Sequence, residues 1–95
     1  MVVIGDPAAA KKVWVIARQH PGETMAEWFA EGMITALLDQ AHPSVQKLLQ
    51  HAVFYIVPNM NPDGAIHGNL RTNAAGANLN REWMTPTLEL SLIHI

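Results

Sequence analysis

Ninety-five residues are enough for one small domain at most. Of these, 49% are hydrophobic and only 15% are charged, which argues against a disordered chain and exceeds what a small solvated module needs, so part of the apolar surface is expected to face a larger body. A net charge of -2, with six Lys and Arg spread along the chain, leaves no basic stripe for nucleic acid, and without cysteine any transition metal must be held by His, Asp or Glu.

The opening "MVVIGDPAAAKKVWVIA" shows no basic segment followed by a long apolar core and a cleavage site. No run approaches the roughly 18 apolar residues of a membrane span. A soluble, cytoplasmic chain with no membrane partner is the expectation. "MVVIG" reads as the middle of a strand and "GDPAAAKK" as a turn. "VWVIA", Val13 to Ala17, is a continuous apolar, β-branched run that predicts a strand buried on both faces.

From Thr24 the period changes. Met25, Trp28, Phe29, Gly32, Met33, Ala36 and Leu37 recur at spacings of three and four, which predicts an amphipathic helix to about Asp39, capped by Thr24 or Gly22. "HPSVQKLLQH" starts with His-Pro-Ser and predicts a second, short helix with Val45, Leu48 and Leu49 on one side. "AVFYIVP", Ala52 to Pro58, is again a buried strand. The order strand, helix, helix, strand implies a right-handed crossover in a mostly parallel sheet, and hence an α/β fold.

After Pro58 comes "NMNPDGAIHGNLRTNAAGANLNREW", a stretch of roughly 25 residues rich in Asn and Gly, and irregular segments of that length are usually functional or disordered. Asn61-Pro62-Asp63-Gly64 is a strong turn signal. In doubly wound sheets ligands bind beyond the carboxyl ends of the strands, so the polar residues of "RQHPGE" and "NMNPDG" are expected on one rim.

His20 and Glu23 offer an imidazole nitrogen and a carboxylate oxygen that can meet at one zinc ion if the Pro-Gly turn folds them together. A surface histidine followed by a first-turn glutamate favoured by the helix dipole explains the same spacing. Arg71 and Arg81 stand in an almost uncharged loop and are either exposed or holders of anions, one for a substrate carboxylate and one for an oxyanion formed in acyl transfer. Asn80 is placed to donate to the same carboxylate, while Asn73 and Asn78 are expected to bond to loop backbone. His42, His51 and His67 read as ordinary loop or helix-end residues, and Trp14, Trp28 and Trp83 as packing groups. Gly68 and Gly76 belong to no phosphate-binding G-x-G-x-x-G pattern, and no G-x-S-x-G elbow is present.

Taken in order, "HPGE", "PNMNPDG" and "GNLRTNAAGANLNREW" resemble the zinc metallocarboxypeptidases of the carboxypeptidase A superfamily, and more closely the cytosolic carboxypeptidase subfamily in its bacterial form. The resemblance runs from about Val13 to Trp83. It implies a mixed, mostly parallel sheet flanked by helices, one zinc ion (Zn2+) held by His20 and Glu23, and Arg71 polarising the scissile carbonyl. It also implies that Asn80 and Arg81 grip the C-terminal carboxylate of a peptide or protein substrate. In such enzymes a zinc-activated water, assisted by a glutamate base, attacks the last peptide bond.

By the same resemblance, the family's third zinc ligand (a histidine) and its catalytic glutamate are expected downstream of this chain. Residues 1–89 are therefore expected to be the N-terminal portion of a peptidase domain, incomplete in fold. The last six residues, "LSLIHI" (90–95), read as the translation of a transposon-end adaptor and are expected to be non-native, so His94 is not a ligand candidate. Two alternatives stand beside the peptidase: a truncated chain that is itself inactive, and a related zinc amidohydrolase of acylated amino acids. The "NPDG" and "NLNR" stretches favour the peptidase.

Overall fold

In the computed structural model, which describes residues 1–84, the elements follow one another as β1 (Val2–Ile4), β2 (Lys11–Ile16), α1 (Met25–Leu38), α2 (Pro43–Leu49), β3 (Ala52–Val57), α3 (Pro62–His67) and a 3-10 turn (Leu79–Arg81). The expected non-native tail at 90–95 lies outside the described residues. The sheet order is β1-β3-β2, with β1 antiparallel and β2 parallel to the central β3. The fold is α/β, as the element order implies, and the β2-to-β3 connection carries both of the predicted crossover helices.

Why β3 is central follows from its composition. Ala52, Val53, Phe54 and Ile56 are all buried, and a strand with apolar residues on both faces is stable only between neighbours. Its register puts Val13 and Ile4 beside Phe54, and Val15 and Val2 beside Ile56, so these side chains share one sheet face. Met33, Ile34 and Leu37 of α1 and Leu49 of α2 pack over that face and close the core. His42 begins α2 as expected, its Nδ1 accepting from Ser44 N–H at 3.3 Å, with Pro43 in the first turn.

Five expectations are corrected. The strand over "VWVIA" begins two residues earlier, at Lys11, and is not buried on both faces: Trp14 is 62% exposed. As an edge strand, β2 has its Trp14 and Ile16 face uncovered among the described residues, and Trp14 stacks on Tyr55 of β3 with centroids 4.8 Å apart. The inward stripe of α1 is Ala30, Met33, Ile34 and Leu37, whereas Met25, Trp28 and Phe29 point outward. The helix carries two apolar stripes, and the sheet claims only one. Trp28 and Trp83 are likewise exposed, so none of the three tryptophans packs inside the described core. Thr24 stands at the N-cap of α1 but makes no side-chain capping bond, and Gly22 bonds elsewhere.

The fifth correction concerns Asn61-Pro62-Asp63-Gly64, which opens α3 rather than a simple turn. Asn61 Oδ1 accepts from Gly64 N–H at 3.0 Å, Pro62 sits in the first turn, and Gly68 ends the helix at φ 71°. A type I turn and a first helical turn share their backbone angles, so the same four residues serve both.

Val3, Trp14 and Ile16 leave an apolar sheet face open, with Trp28 and Phe29 of α1 exposed as well. Large exposed apolar surface of this kind favours association. Expressed by itself, the 95-residue polypeptide is expected to bind a hydrophobic dye and self-associate in sedimentation velocity. A dye-silent monomer with a sharp thermal transition would contradict this reading of the face.

Candidate functional site

Parallel pairing makes β2 and β3 end side by side, and the backbone continues the pairing past the last strand residues. Ala17 N–H donates to Val57 O, and Met60 N–H to Ala17 O, each at 2.9 Å. The two polar segments that follow share one rim, as predicted, because Asn61 Nδ2 donates to Gln19 O at 3.2 Å. Asn61 is buried and engaged at both ends of its amide: its oxygen caps α3 while its nitrogen holds the neighbouring loop.

Between β2 and α1 the chain makes a tight turn at His20-Pro21-Gly22-Glu23. Glu23 N–H closes it onto His20 O at 3.1 Å, and Gly22 N–H ties it to Leu70 O at 3.0 Å. Gly64 is pressed against its outer side. A Cβ built there would stand 2.4 Å from Thr72 O and 2.6 Å from both Asn61 Oδ1 and Pro21 Cγ, so the position admits only hydrogen.

The Asn-rich segment is ordered by its own amides. Asn69 Nδ2 donates to Thr72 O and Asn73 O at 3.2 and 3.0 Å, and Asn73 Oδ1 accepts from Ala75 and Ala77 N–H at 3.0 and 2.9 Å. Asn78 Oδ1 accepts from Asn80 N–H at 3.2 Å and so starts the 3-10 turn. These bonds fold the loop back over the rim and bring Arg71 and Asn78 to His20.

His20 is buried, and its two ring nitrogens face different partners. Nδ1 lies 3.1 Å from Glu23 Oε1, while Nε2 lies 3.2 Å from both Asn78 Oδ1 and Arg71 Nη2. Guanidinium only donates and an amide oxygen only accepts, so the two Nε2 contacts demand opposite tautomers. With the proton on Nδ1, the ring donates to Glu23 and accepts from Arg71. With it on Nε2, the ring donates to Asn78 and the Nδ1 lone pair turns to the space beside Glu23.

That second arrangement suits a metal. Two ligands on one tetrahedral zinc, at bonds of about 2.0–2.2 Å, stand roughly 3.3–3.5 Å apart. The observed Nδ1 to Oε1 separation of 3.1 Å is slightly shorter than this span, so the pair need open only by about 0.2–0.4 Å to hold the ion. The donor types fit zinc. Among the described residues no third His, Cys, Asp or Glu joins the pair. The Asn78 contact was only half anticipated: its bond to loop backbone is present, but its approach to His20 spans 58 positions and left no local signal.

Asn80 and Arg81 are exposed one step further along the rim. Neither side chain bonds to His20, Glu23 or Arg71 among the described residues. Trp83 Nε1–H donates to Asn80 Oδ1 at 3.1 Å, which fixes the amide's orientation because indole N–H can only donate. Arg81 Nη1 donates to Asn80 O at 3.1 Å. A cavity of about 560 Å³ lies away from the site, lined by residues including Ile4, Gly5, Gln46 and Gln50, and another of about 330 Å³ is lined by rim residues including Met60, Asn61, Asn73 and Leu79.

Residues 1–89 match the family profile described as zinc carboxypeptidase. Over 78 residues the chain is 44% identical to cytosolic carboxypeptidase 1 of Mus musculus, an alignment covering 82% of this chain and 6% of the mouse protein. It superposes on a metallo-carboxypeptidase from Burkholderia cenocepacia with a TM-score of 0.84 at 60% identity, over 92% of this chain and 25% of that one. A metallo-carboxypeptidase from Pseudomonas aeruginosa, solved in complex with (2-guanidinoethylmercapto)succinic acid, gives a TM-score of 0.84 at 58% identity over 90% of this chain and 23% of that one. The chain thus spans a quarter or less of each of these relatives.

Gly64→Ala is expected to destabilise the protein by about 1–3 kcal/mol, the usual cost of forcing extra volume into a packed site. Denaturant unfolding measures this. A change under a few tenths of a kcal/mol would show that the contacts of Gly64 with Pro21 and Thr72 are looser than described.

Proposed function

Because the chain belongs to the zinc carboxypeptidase family, we propose that it supplies two zinc ligands and the substrate anchors of an enzyme that hydrolyses the C-terminal peptide bond of peptides or proteins. The observation that carries this reading is the 3.1 Å approach of His20 Nδ1 to Glu23 Oε1, with Arg71 on the same imidazole. His20 and Glu23 would hold one zinc ion. When bound, zinc supplies a Lewis acid and activates water.

The remaining work falls to the chain's own side chains. Arg71, released from His20 when the imidazole proton sits on Nε2, is free to donate to the scissile carbonyl oxygen as negative charge develops there. Arg81 presents a fork of donors that matches a terminal carboxylate. Since Trp83 occupies the oxygen of the Asn80 amide, the amide nitrogen is the end left for the same carboxylate. A substrate gripped at its C-terminus by Asn80 and Arg81 would offer its last peptide bond to Arg71 and the metal.

We place residues 1–89 as the N-terminal portion of the catalytic domain, in a cytoplasmic enzyme. The word cytosolic in the names of relatives supports that location. Among the described residues no helix is long and apolar enough to cross a membrane. The 95-residue polypeptide taken alone is proposed to be inactive, because two ligands hold catalytic zinc far less firmly than the usual three.

In the full-length polypeptide, His20→Ala and Glu23→Ala are each expected to lower bound zinc well below one ion per chain and to abolish peptidase activity. Atomic absorption reads the metal directly, and stoichiometric zinc in both variants would remove them from the ligand set.

Arg71→Ala is expected to lower kcat on the order of a hundredfold or more with little change in KM, because it acts on charge that forms only in the transition state. Arg81→Ala should instead raise KM and erase the preference for a free C-terminus over an amidated one. An Arg81→Ala enzyme that kept the parental acid-to-amide preference would assign carboxylate recognition elsewhere.

A further inference from the structure

Arg18 bonds to neither proposed ligand, yet it shapes the turn that carries both. It is the one non-glycine residue with positive φ among those described, at 50°. A left-handed conformation is uncommon for a side chain of this size and persists where the surroundings over-determine it. Here the surroundings are two contacts of a single guanidinium, which is 16% exposed. Arg18 Nε donates to Pro21 O at 2.8 Å, and Nη1 is paired with Glu27 Oε2.

Those two contacts join different parts of the site. The Pro21 carbonyl belongs to the peptide chain between His20 and Glu23, so its orientation sets how far the second side chain swings from the first. Glu27 lies in the first turn of α1, four positions after Glu23, on the element whose start fixes the Glu23 backbone through Ala26 N–H to Glu23 O at 3.1 Å. One rigid planar group therefore ties the interior of the turn to the helix that follows it. The left-handed step at Arg18 falls where the chain leaves β2, just before the bend at Gln19 and His20 that leaves His20 buried against Asn78. A lysine could keep the charge but has no fork to meet both acceptors in a fixed plane.

We propose that Arg18, braced by Glu27, is a positioning residue that sets the separation of His20 and Glu23 and thereby the metal affinity of the site. This rests on the assignment of His20 and Glu23 as ligands. Groups that orient metal ligands from behind typically change affinity by about 10–100-fold when removed.

The test uses the full-length polypeptide and the variants Arg18→Lys, Arg18→Gly and Glu27→Gln. Zinc Kd is measured by competition with a chromophoric chelator, and coordination by the visible absorption of the cobalt-substituted protein. Arg18→Lys and Arg18→Gly are expected to raise the zinc Kd about 10–100-fold and to alter the cobalt spectrum. Glu27→Gln, the mildest change, should shift both in the same direction by less. A lowered Tm with parental Kd and cobalt spectrum in all three would make the pair a structural brace only and overturn the proposal. So would parental affinity in Arg18→Gly, which admits the left-handed backbone without strain but deletes both contacts. His20→Ala separates the two layers: if it retains stoichiometric zinc, the ligand assignment falls and this proposal with it. If it loses zinc while Arg18→Lys keeps the parental Kd, only the proposal about Arg18 falls.

Discussion

Two backbone hydrogen bonds past the last strand residues, Ala17 N–H to Val57 O and Met60 N–H to Ala17 O, hold the ends of β2 and β3 together. They exist because the strands are parallel and in register, with Ile16 opposite Val57. An antiparallel pair would send the two following loops to opposite ends of the sheet. Parallel pairing sends both to one end, so a turn made near residue 20 meets loops made near residues 61 and 78. Every contact of His20 beyond its own turn depends on that alignment, and β3 can enforce it because its apolar side chains must be covered on both sides.

Above the sheet, order comes from amides rather than from apolar packing. Asn61, Asn69, Asn73 and Asn78 each bond a side chain to loop backbone, and so satisfy polar groups that a sheet or helix would otherwise pair. Close approach then does the rest. Gly64 lets α3 touch Pro21, and Gly22 lies near enough to Leu70 that a Cβ would stand 2.7 Å from Leu70 Cδ1. The rim can be built tightly because its backbone donors already have partners inside the loop. His20 is held there with both ring nitrogens engaged, which gives the histidine a defined choice between two proton placements.

The parts of the fold legible in the sequence are those with a short-range physical cause. Continuous apolar runs marked β2 and β3, His42-Pro43-Ser44 marked the start of α2, and the strand ends marked the rim. What failed depended on partners. The period of α1 holds two apolar stripes, and only the sheet decides that Ala30, Met33, Ile34 and Leu37 turn inward while Trp28 and Phe29 do not. Trp14 reads as a core residue because "VWVIA" is uniformly apolar, yet its face of β2 has no covering layer among the described residues. Arg18 gave no signal, since arginine is not a residue from which a left-handed step is expected. Residue types suggested His20, Glu23, Arg71, Asn80 and Arg81, but only the fold joins the first three through one imidazole and leaves the last two further along the rim.

The central claim is that the turn between β2 and α1 holds the metal, with His20 Nδ1 and Glu23 Oε1 as its first two donors. Anomalous diffraction at the zinc edge, on crystals of the full-length polypeptide, tests it directly. The account predicts a single strong peak within about 2.0–2.2 Å of both atoms, with the His20 ring donating from Nε2 to Asn78. A peak elsewhere, or an ion reached by His20 through Nε2 with Glu23 turned away, would contradict it.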